Sequence, residues 1–226
     1  MYPKRLGALK HVHKFGSNSG LSASAETVWS VGGLYNYIPS AQVLYVSSTE
    51  NADNGTVELE GVGENYVLQT ETVSLDGSPS QITTSKTWLR VWRMKYSNGS
   101  GGNTGVITAR RTSHAGTIQA QIDIGESQTL MALYTIPANY VGYLKQYHCG
   151  IGKNDDATIF LYTRENGNVF RVKSEISLYQ NSYVQNFEPA LTIPEYADIE
   201  FRAIGSNASG SLCTVNFDLY LYKARR

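Results

Sequence analysis

The stretch that decides the fold lies near the carboxyl terminus and reads Cys213-Thr-Val-Asn-Phe-Asp-Leu-Tyr-Leu-Tyr222. Apolar residues occupy every second position from Cys213 to Leu221, and polar residues or tyrosines stand between them. This period of two is that of a β-strand with one buried and one exposed face. The same alternation runs through Ile118–Ile124 and Phe170–Leu178. The pattern predicts a half-buried antiparallel sheet.

Five further runs predict strands in the second half of the chain, at Leu130–Ile136, Tyr140–Ile151, Ala157–Arg164, Tyr183–Phe187 and Asp198–Ile204. Glu165-Asn-Gly-Asn168 joins Ala157–Arg164 to the alternating run Phe170–Leu178 and is predicted to form a tight hairpin turn, because Asn-Gly favours such turns. A jelly roll has about eight strands. We therefore predict a jelly-roll-like β-sandwich over 111–226.

The first half of the chain predicts two more parts. Residues 1–24 lack periodicity and are rich in small residues, which favours an extended amino-terminal arm. From Thr27 onward short strands alternate with turns, and Asp76-Gly-Ser-Pro79 is a dense turn signal. We predict a small immunoglobulin-like β-sandwich over 25–110, so that the whole chain is all-β.

The composition agrees with this fold class and excludes others. Of 226 residues, 17% are charged and 16 are tyrosines, which favour strands. Long helical bundles and coiled coils need more charged and helix-forming residues. The longest uncharged stretch, Ser127–Leu144, contains Gln128 and Asn139, so no membrane span is predicted. With a net charge of +0, no specific nucleic-acid binding is expected.

Charge is ordered along the chain although it sums to zero. Residues 26–85 contain eight acidic residues and no Lys or Arg, whereas residues 86–111 contain six basic residues and no acid. Opposite charges on neighbouring strands stabilise a sheet, and complementary patches hold copies of a protein together. The order predicts either neutralisation across a sheet within one chain or a head-to-tail contact between copies.

The predicted arm is basic, and Phe15 ends a run of apolar residues at every third position. A solvated tail has little use for such residues. We interpret residues 1–24 as an arm that becomes ordered on a neighbouring subunit, and the alternative is a disordered basic tail. The contacts predicted for the arm are Lys4, Arg5, Lys10 and Phe15.

A second predicted contact lies in a strand over Thr87–Tyr96. Trp88 and Trp92 share one face of this strand with Arg90, so the alternation of apolar and polar residues fails. Trp and Arg are enriched at the centres of protein interfaces. We predict an inter-domain or inter-subunit face formed by Trp88, Arg90, Trp92 and Arg93. The alternative is a central strand buried on both faces, with its charges at the ends.

No enzyme is predicted, because the motifs that carry catalysis are absent. The sequence has no His-Glu-x-x-His, Cys-x-x-Cys, Gly-x-Ser-x-Gly or phosphate-loop motif. His11 and His13 are interpreted as solvated or partner-contacting residues rather than metal ligands. Cys149 and Cys213 are expected to be buried free thiols, with a single disulfide as the alternative. We therefore predict no catalytic residue, no metal and no cofactor.

Carbohydrate binding is a separate candidate function. Exposed tyrosine rings on a β-sandwich can stack on sugars, although such tyrosines also pack at protein interfaces. The candidate rings are Tyr35, Tyr37, Tyr179, Tyr183, Tyr220 and Tyr222.

Four stretches carry a further signal: Glu26–Tyr35 (ETVWSVGGLY), Thr56–Gly61 (TVELEG) with Glu71–Gly77 (ETVSLDG), Thr87–Arg93 (TWLRVWR), and Gly125–Ala138 (GESQTLMALYTIPA) running into Tyr140–Leu144. They resemble a family of virion structural proteins of tailed bacteriophages, especially marine and cyanobacterial ones. None of the four contains a catalytic motif.

The resemblance implies a non-enzymatic component of the virion, with a capsid decoration or cement protein as the expected role. Its partners would be the major capsid protein or other virion proteins, together with further copies of the chain. The alternatives are a neck, tail or fibre-anchoring protein, or a receptor- or glycan-binding module of the tail. No membrane association is expected.

Overall fold

The computed structural model of the chain describes residues 9–77, 82–99, 101–113, 115–205 and 210–224. Over these residues the chain consists of β-strands, turns and one short 3-10 helix at Glu64–Tyr66, so the all-β prediction is confirmed. No helix in these ranges is long and apolar enough to cross a membrane. The strands are β1 Leu9–Leu21, β2 Glu26–Thr27, β3 Leu44–Ser48, β4 Thr56–Val62, β5 Leu68–Ser74, β6 Ile82–Thr83, β7 Arg90–Ser97, β8 Ile107–Arg111, β9 Ile118–Ile122, β10 Leu133–Thr135, β11 Tyr140–Ile151, β12 Asp156–Arg164, β13 Arg171–Tyr179, β14 Ser182–Ile193, β15 Asp198–Gly205 and β16 Ser211–Lys223.

The chain forms two compact units. The terminal unit comprises Met1–Leu34 and Met131–Arg226, and the inserted unit comprises Tyr35–Leu130. These boundaries, after Leu34 and Leu130, differ from the predicted divisions after residues 24 and 110. Strand β9 belongs to the inserted unit rather than to the carboxyl-terminal sandwich. The sequence near residues 34 and 131 does not show that a unit is inserted there. The terminal unit becomes evident only because its first strand, β1, pairs with its last strand, β16.

The terminal unit contains two antiparallel sheets in its described residues. The first sheet has the strand order β1-β16-β11-β14. The second has the order β15-β12-β13, and β2 and β10 pair one after the other along the remaining side of β15. The chain therefore leaves this edge after Thr27 and returns to it at Leu133, with the inserted unit in between.

The inward faces of these sheets form the core of the terminal unit. Val215, Phe217 and Leu219 are buried, as the alternation in β16 predicts. The ring of Phe217 lies 5.3 Å from that of Phe201 in β15, which lies 5.0 Å from the ring of Tyr147 in β11. Aromatic pairs at such distances stabilise a core beyond their buried area. They join the first sheet to the second in a β-sandwich.

Gly16 lets β1 lie close to the backbone beside it. A Cβ atom at this position would be 2.3 Å from both the Val28 oxygen and the Ala132 nitrogen. Those two atoms are themselves hydrogen-bonded to each other. Only glycine leaves room for this approach.

The inserted unit has two sheets over its described residues, with the orders β6-β3-β8-β9 and β5-β4-β7. Immunoglobulin constant-type domains also have sheets of four and three strands, but their first strand pairs with the second. Here β3 pairs with β6 and β8, and β4 lies in the other sheet. The strand order is therefore different from that of an immunoglobulin domain.

The acidic and basic segments meet inside the inserted unit. In the pairing of β4 with β7, Glu58 lies opposite Lys95 and Glu60 opposite Arg93. Lys95 Nζ is 3.0 Å from Glu58 Oε1, and Arg93 NH1 is 3.8 Å from Glu60 Oε2. At these positions the charges are neutralised across a sheet within one chain, which is the first of the two arrangements that the charge order predicts.

Candidate functional site

The predicted arm is largely a strand of the chain's own sheet. Lys4 and Arg5 lie outside the described residues. Lys10 and Phe15 lie in β1, opposite Leu221 and Asn216 of β16. Residues 9–21 are thus already paired within the chain, and the prediction of a separate arm is corrected for them.

The sequence pattern does not predict β1, because the inward face of this strand is not apolar. Its buried positions include Val12, Lys14, Gly16 and Asn18. Lys14 is only 2% exposed although it is charged. One valine among small and polar residues gives no alternation of apolar and polar positions.

The predicted tryptophan and arginine face is mostly interior. Trp88 and Trp92 are 0% and 1% exposed, and Arg90 is 4% exposed. Arg90 NH1 donates hydrogen bonds to the Ile38 and Leu89 carbonyl oxygens, each at 2.7 Å. These three side chains cannot contact another chain directly, so the prediction of an inter-subunit face is corrected for them. The start of the strand, Arg90 to Trp92, is buried on both faces, but Lys95 and Ser97 are exposed on one face, so the alternative interpretation holds only for this start.

Arg93, the fourth residue of that prediction, is partly exposed and pairs with Glu60. Its guanidinium therefore neutralises a charge of its own sheet. Arg90, Trp92 and Arg93 lie in β7, and Trp88 precedes this strand by two residues and bridges Gln42. The sequence could not show which of these side chains the rest of the unit covers.

A row of rings crosses β1, β16 and β11 on the outer face of the first sheet. His11, Tyr220 and Tyr143 are cross-strand neighbours. The His11 and Tyr220 rings stack with centroids 5.1 Å apart, and Tyr222 meets Tyr143 edge to face at 5.3 Å. These contacts hold the rings side by side.

A second row lies next to the first and is polar. His13, Asp218 and Gln146 are cross-strand neighbours on the same three strands. His11 Nε2 and His13 Nδ1 each donate to Asp218 Oδ1 at 2.9 Å, and Gln146 Nε2 donates to Asp218 Oδ2 at 2.8 Å. Partial burial raises the pKa of Asp218, but the hydrogen bonds from His13, Gln146 and His11 outweigh it and hold the pKa below its ordinary value.

A groove of about 450 Å³, which we name the tyrosine groove, opens beside these rows. The groove is lined by Tyr143, Lys145, Ala190, Tyr220 and Tyr222. Tyrosine rings with hydroxyl groups, next to an ammonium group, suit a polar ligand that has an apolar face, such as a saccharide.

The second feature of the terminal unit is a pair of sheet edges, β14 in the first sheet and β13 in the second. Among the described residues, β13 pairs only with β12 and β14 only with β11. Val172, Tyr179 and Val184 are 47%, 71% and 52% exposed on these strands. We name β13 and the first part of β14, Ser182–Asn186, the open edge. Unpaired backbone groups beside exposed apolar side chains are a surface to which another chain can add a strand.

A bulge explains why Val172 is exposed although the alternation predicts it to be buried. The pairing of β12 with β13 slips between Leu161 and Tyr162, so that Lys173 is an extra residue in β13. Val172 then lies opposite Tyr162, on the outer face. A bulge turns the side chains beyond it to the other face of the sheet.

The outer face of the second sheet, in contrast, is occupied by contacts within the chain. Arg202 Nε and NH2 donate to the Glu200 carboxylate at 3.0 and 2.8 Å. The Arg202 guanidinium lies 4.6 Å from the centre of the Phe170 ring, and that of Arg164 lies 4.5 Å from the same ring. Arg164 also pairs with Asp198. These groups stabilise their own sheet.

The two cysteines are buried free thiols, as predicted. Burial raises the pKa of Cys149 to about 11 and also raises that of Cys213. Thiols that stay protonated are poor nucleophiles and poor metal ligands. In the described ranges, no group of three or more His, Cys, Asp or Glu residues could hold a metal ion.

The sequence analysis missed the cluster around Asp218. Asp218 and His11 are 207 positions apart, and only the pairing of β1 with β16 brings them together. His11 and His13 share one face of a strand, as do Asp218 and Tyr220, because side chains two residues apart point the same way. The sequence therefore shows which side chains share a face of each strand, but it does not show that the two strands pair.

No protein-family model and no curated protein matches the sequence. Solved structures with some similarity come from infectious bursal disease virus. A chain of T=1 particles derived from infectious bursal virus is 11% identical, with a TM-score of 0.24, over 97% of this chain and 74% of that chain. A chain of the Gx strain is 9% identical, with a TM-score of 0.21, over 97% of this chain and 77% of that chain. These TM-scores are too low to establish a common fold.

Proposed function

We propose that this chain is a non-enzymatic structural protein of a virion, which decorates or cements the capsid through contacts between subunits. The open edge is the observation that carries the proposal. Strand β13 has nine residues, with Val172 and Tyr179 exposed along it. Another chain that adds a strand there gains backbone hydrogen bonds and covers apolar surface. A single copy leaves both gains unused.

The strand pairing of the terminal unit supports the same proposal. We count β2 and β10 as one position beside β15. The first strand then pairs with the last, the third with the sixth and the eighth, and the fourth with the fifth and the seventh. This is the pairing of a double Greek key, the jelly-roll architecture of viral capsid domains and of lectins. One architecture serves many functions, so the open edge remains the main support.

In this proposal the partners are the major capsid protein or other virion proteins, together with further copies of the chain. The resemblance of Glu26–Tyr35 and Gly125–Ala138 to tailed-bacteriophage proteins favours a phage particle. The alternative location is the neck, the tail or the base of a fibre, where the same kind of contact would serve.

Cryo-electron microscopy of the particle tests the proposal. We expect density for this chain on the capsid lattice, with the terminal unit against its neighbours. Density at the neck or tail would overturn the capsid location and support the alternative. Purified particles without this chain would overturn the structural role altogether.

Lys4 and Arg5 need their own test, and the truncation must spare β1. Removal of residues 1–24 would delete a strand of the first sheet, so we choose removal of residues 1–8. If Lys4 and Arg5 contact the capsid, this truncation lowers incorporation into particles while the melting temperature of the purified chain stays the same. Unchanged incorporation would exclude these two residues as contacts.

Glycan binding is the second candidate function, and the tyrosine groove favours it. Tyr220 and Tyr222 line the groove, whereas Tyr35 is buried and cannot stack on a sugar. A glycan array is the test. This candidate predicts saturable binding that Tyr220→Ala abolishes and that Tyr179→Ala, outside the groove lining, leaves unchanged. An array without saturable binding would overturn it.

A further inference from the structure

The tyrosine groove opens where two strands of the first sheet separate. The pairing of β11 with β14 is interrupted between Leu144 and Gln146, where Lys145 alone lies opposite residues 187–190. Bulges redirect side chains and are common next to active sites. Ala190 lies in this interruption and lines the groove. The strand pairing of the sheet therefore creates the groove.

Tyrosine rings form the apolar part of the groove. Tyr220 and Tyr222 lie two residues apart on β16, and Tyr143 of β11 lies opposite Tyr220. Tyr220 stacks on His11, and Tyr222 contacts Tyr143 edge to face. Rings that are already held in place lose little conformational entropy when a ligand packs on them. The apolar face of a sugar ring fits such a surface.

The groove also carries a positive charge, which the chain neutralises only weakly. Lys145 Nζ is 3.7 Å from Glu188 Oε1, a distance too long for a hydrogen bond, and the Glu188 side chain is 82% exposed. Exposed ion pairs contribute little, because water and salt screen both charges. An anionic group of a ligand can therefore take the place of Glu188 beside the ammonium group.

The acidic residue of the neighbouring polar row is occupied by contacts within the chain. Asp218 accepts hydrogen bonds on both carboxylate oxygens, from His11, His13 and Gln146. It does not line the groove, whereas Lys145 does. The charge in the lining of the groove is therefore that of Lys145, and it favours an anionic ligand.

We propose that the tyrosine groove binds an acidic saccharide, whose ring packs on Tyr220 and Tyr222 and whose carboxylate pairs with the Lys145 ammonium group. This inference rests on glycan binding, the second candidate function, and names the class of sugar. A carboxylate forms a charge-assisted hydrogen bond with Lys145, which a neutral sugar cannot do equally well. The groove volume of about 450 Å³ lies within the range of small-molecule pockets, about 300–1,000 Å³.

Pairs of sugars that differ in a single group test the inference. Methyl glucuronoside and methyl glucoside have the same ring, but the carbon outside the ring is a carboxylate in the first and a hydroxymethyl group in the second. The galactose and mannose series supply two further pairs. Dissociation constants for the full chain are measured by NMR titration. We expect the acidic member of at least one pair to bind about tenfold more tightly than its neutral counterpart.

Variants separate the contribution of the ammonium group from that of the rings. Lys145→Met removes the charge and keeps the length of the side chain, so it should weaken binding of the acidic sugar about tenfold and leave the neutral sugar unchanged. Glu188→Gln removes the competing carboxylate and should tighten binding of the acidic sugar. Tyr220→Ala removes a ring face and should weaken binding of both sugars.

Lys153→Met is the matched control, because it removes the same charge at an exposed position outside the groove lining. It should leave the dissociation constants of both sugars unchanged. Thermal melts should be the same for Lys145→Met, Glu188→Gln and the wild type, because water already reaches both side chains. Equal affinity for the two members of every pair, or acidic-sugar binding that Lys145→Met leaves unchanged, would overturn the inference.

The outcomes for this inference and for the functions proposed above are separable. Equal binding of acidic and neutral sugars that Tyr220→Ala weakens overturns the preference for an acid and leaves glycan binding intact. A panel in which no sugar binds overturns the inference, and the glycan array then decides on glycan binding independently. The structural role in a virion depends on the open edge, so neither result affects it.

Discussion

The terminal and inserted units consist of the same kind of strand but treat their exposed groups differently. The inserted unit pairs the charges of β4 with those of β7 and buries Trp88 and Trp92. The terminal unit leaves one edge of β13 without a partner strand among the described residues and carries tyrosine rings on the outer face of its first sheet. Tryptophans and ordered charges therefore do not by themselves identify an interface. Groups that the chain leaves without an internal partner are the better guide.

The largest expected effect tests whether the tryptophans of the inserted unit are core residues. Trp88 is completely buried, so Trp88→Ala should lower the free energy of unfolding by about 3–5 kcal/mol. Urea unfolding, followed by the fluorescence of the remaining tryptophans, measures the loss. Tyr179→Ala in the terminal unit is the control, and we expect a change within about 0.5 kcal/mol there. Equal losses in the two variants would mean that Trp88 is not a core residue.

A smaller effect is expected where β1 lies close to the neighbouring backbone. Gly16→Ala places a methyl group against the Val28 oxygen and the Ala132 nitrogen, and such overpacking costs about 1–3 kcal/mol. Gly20→Ala in the same strand is the matched control, since a Cβ there has only one atom near it, at 4.0 Å. Thermal unfolding of both variants tests whether β1 is part of the terminal unit. A Gly16→Ala variant as stable as Gly20→Ala would contradict the close approach of β1 to the backbone of Val28 and Ala132.

The third test concerns acid stability of the inserted unit. Asp53 is buried and accepts hydrogen bonds from Ser48, Thr104 and Gly105. Burial raises the pKa of Asp53, but these hydrogen bonds outweigh it and lower the pKa below its ordinary value. The stabilisation by this carboxylate is therefore complete above its pKa in the unfolded chain and is lost as the pH falls through its pKa in the folded chain.

Asp53→Asn should accordingly lower the free energy of unfolding by about 1–3 kcal/mol at neutral pH and make it less dependent on pH in acid. Urea unfolding at neutral and acidic pH gives both quantities. Asp76→Asn, at an exposed position of the same unit, is the control and should change neither. A variant with the same pH dependence as the wild type would show that Asp53 does not carry the acid response.

The smallest effect on stability is expected for the charge pairs of the inserted unit. Lys95→Glu breaks an exposed pair with Glu58 and should lower the free energy of unfolding by about 0.2–1 kcal/mol. It should not alter incorporation of the chain into particles, because Lys95 lies outside the open edge. A Lys95→Glu variant that no longer enters particles would mean that the inserted unit carries a contact with neighbouring subunits.

The sequence predicted the strands with alternating residues well. Strand β11 has the predicted limits, and β12 and β15 differ from theirs by one residue. Period-two patterns are local, so one sequence suffices to find them. The pattern could not predict the bulge at Lys173, which turns Val172 outward.

Features that depend on distant partners were not predictable. Strand β1 lacks an apolar face, and its pairing with β16 joins the two ends of the chain. The unit boundaries and the cluster around Asp218 depend on that same pairing. The burial of Trp88 likewise depends on which elements cover it, and alternation within one strand carries no such information.

The central claim is that the terminal unit works by contact with neighbouring subunits along its open edge. Hydrogen–deuterium exchange of the assembled particle, compared with the isolated chain, gives the direct test. We predict slower exchange of the amides of Arg171–Tyr179 in the assembly and unchanged exchange in β4 and β7 of the inserted unit. Exchange in β13 that assembly leaves unchanged, with protection confined to Tyr35–Leu130, would contradict the claim.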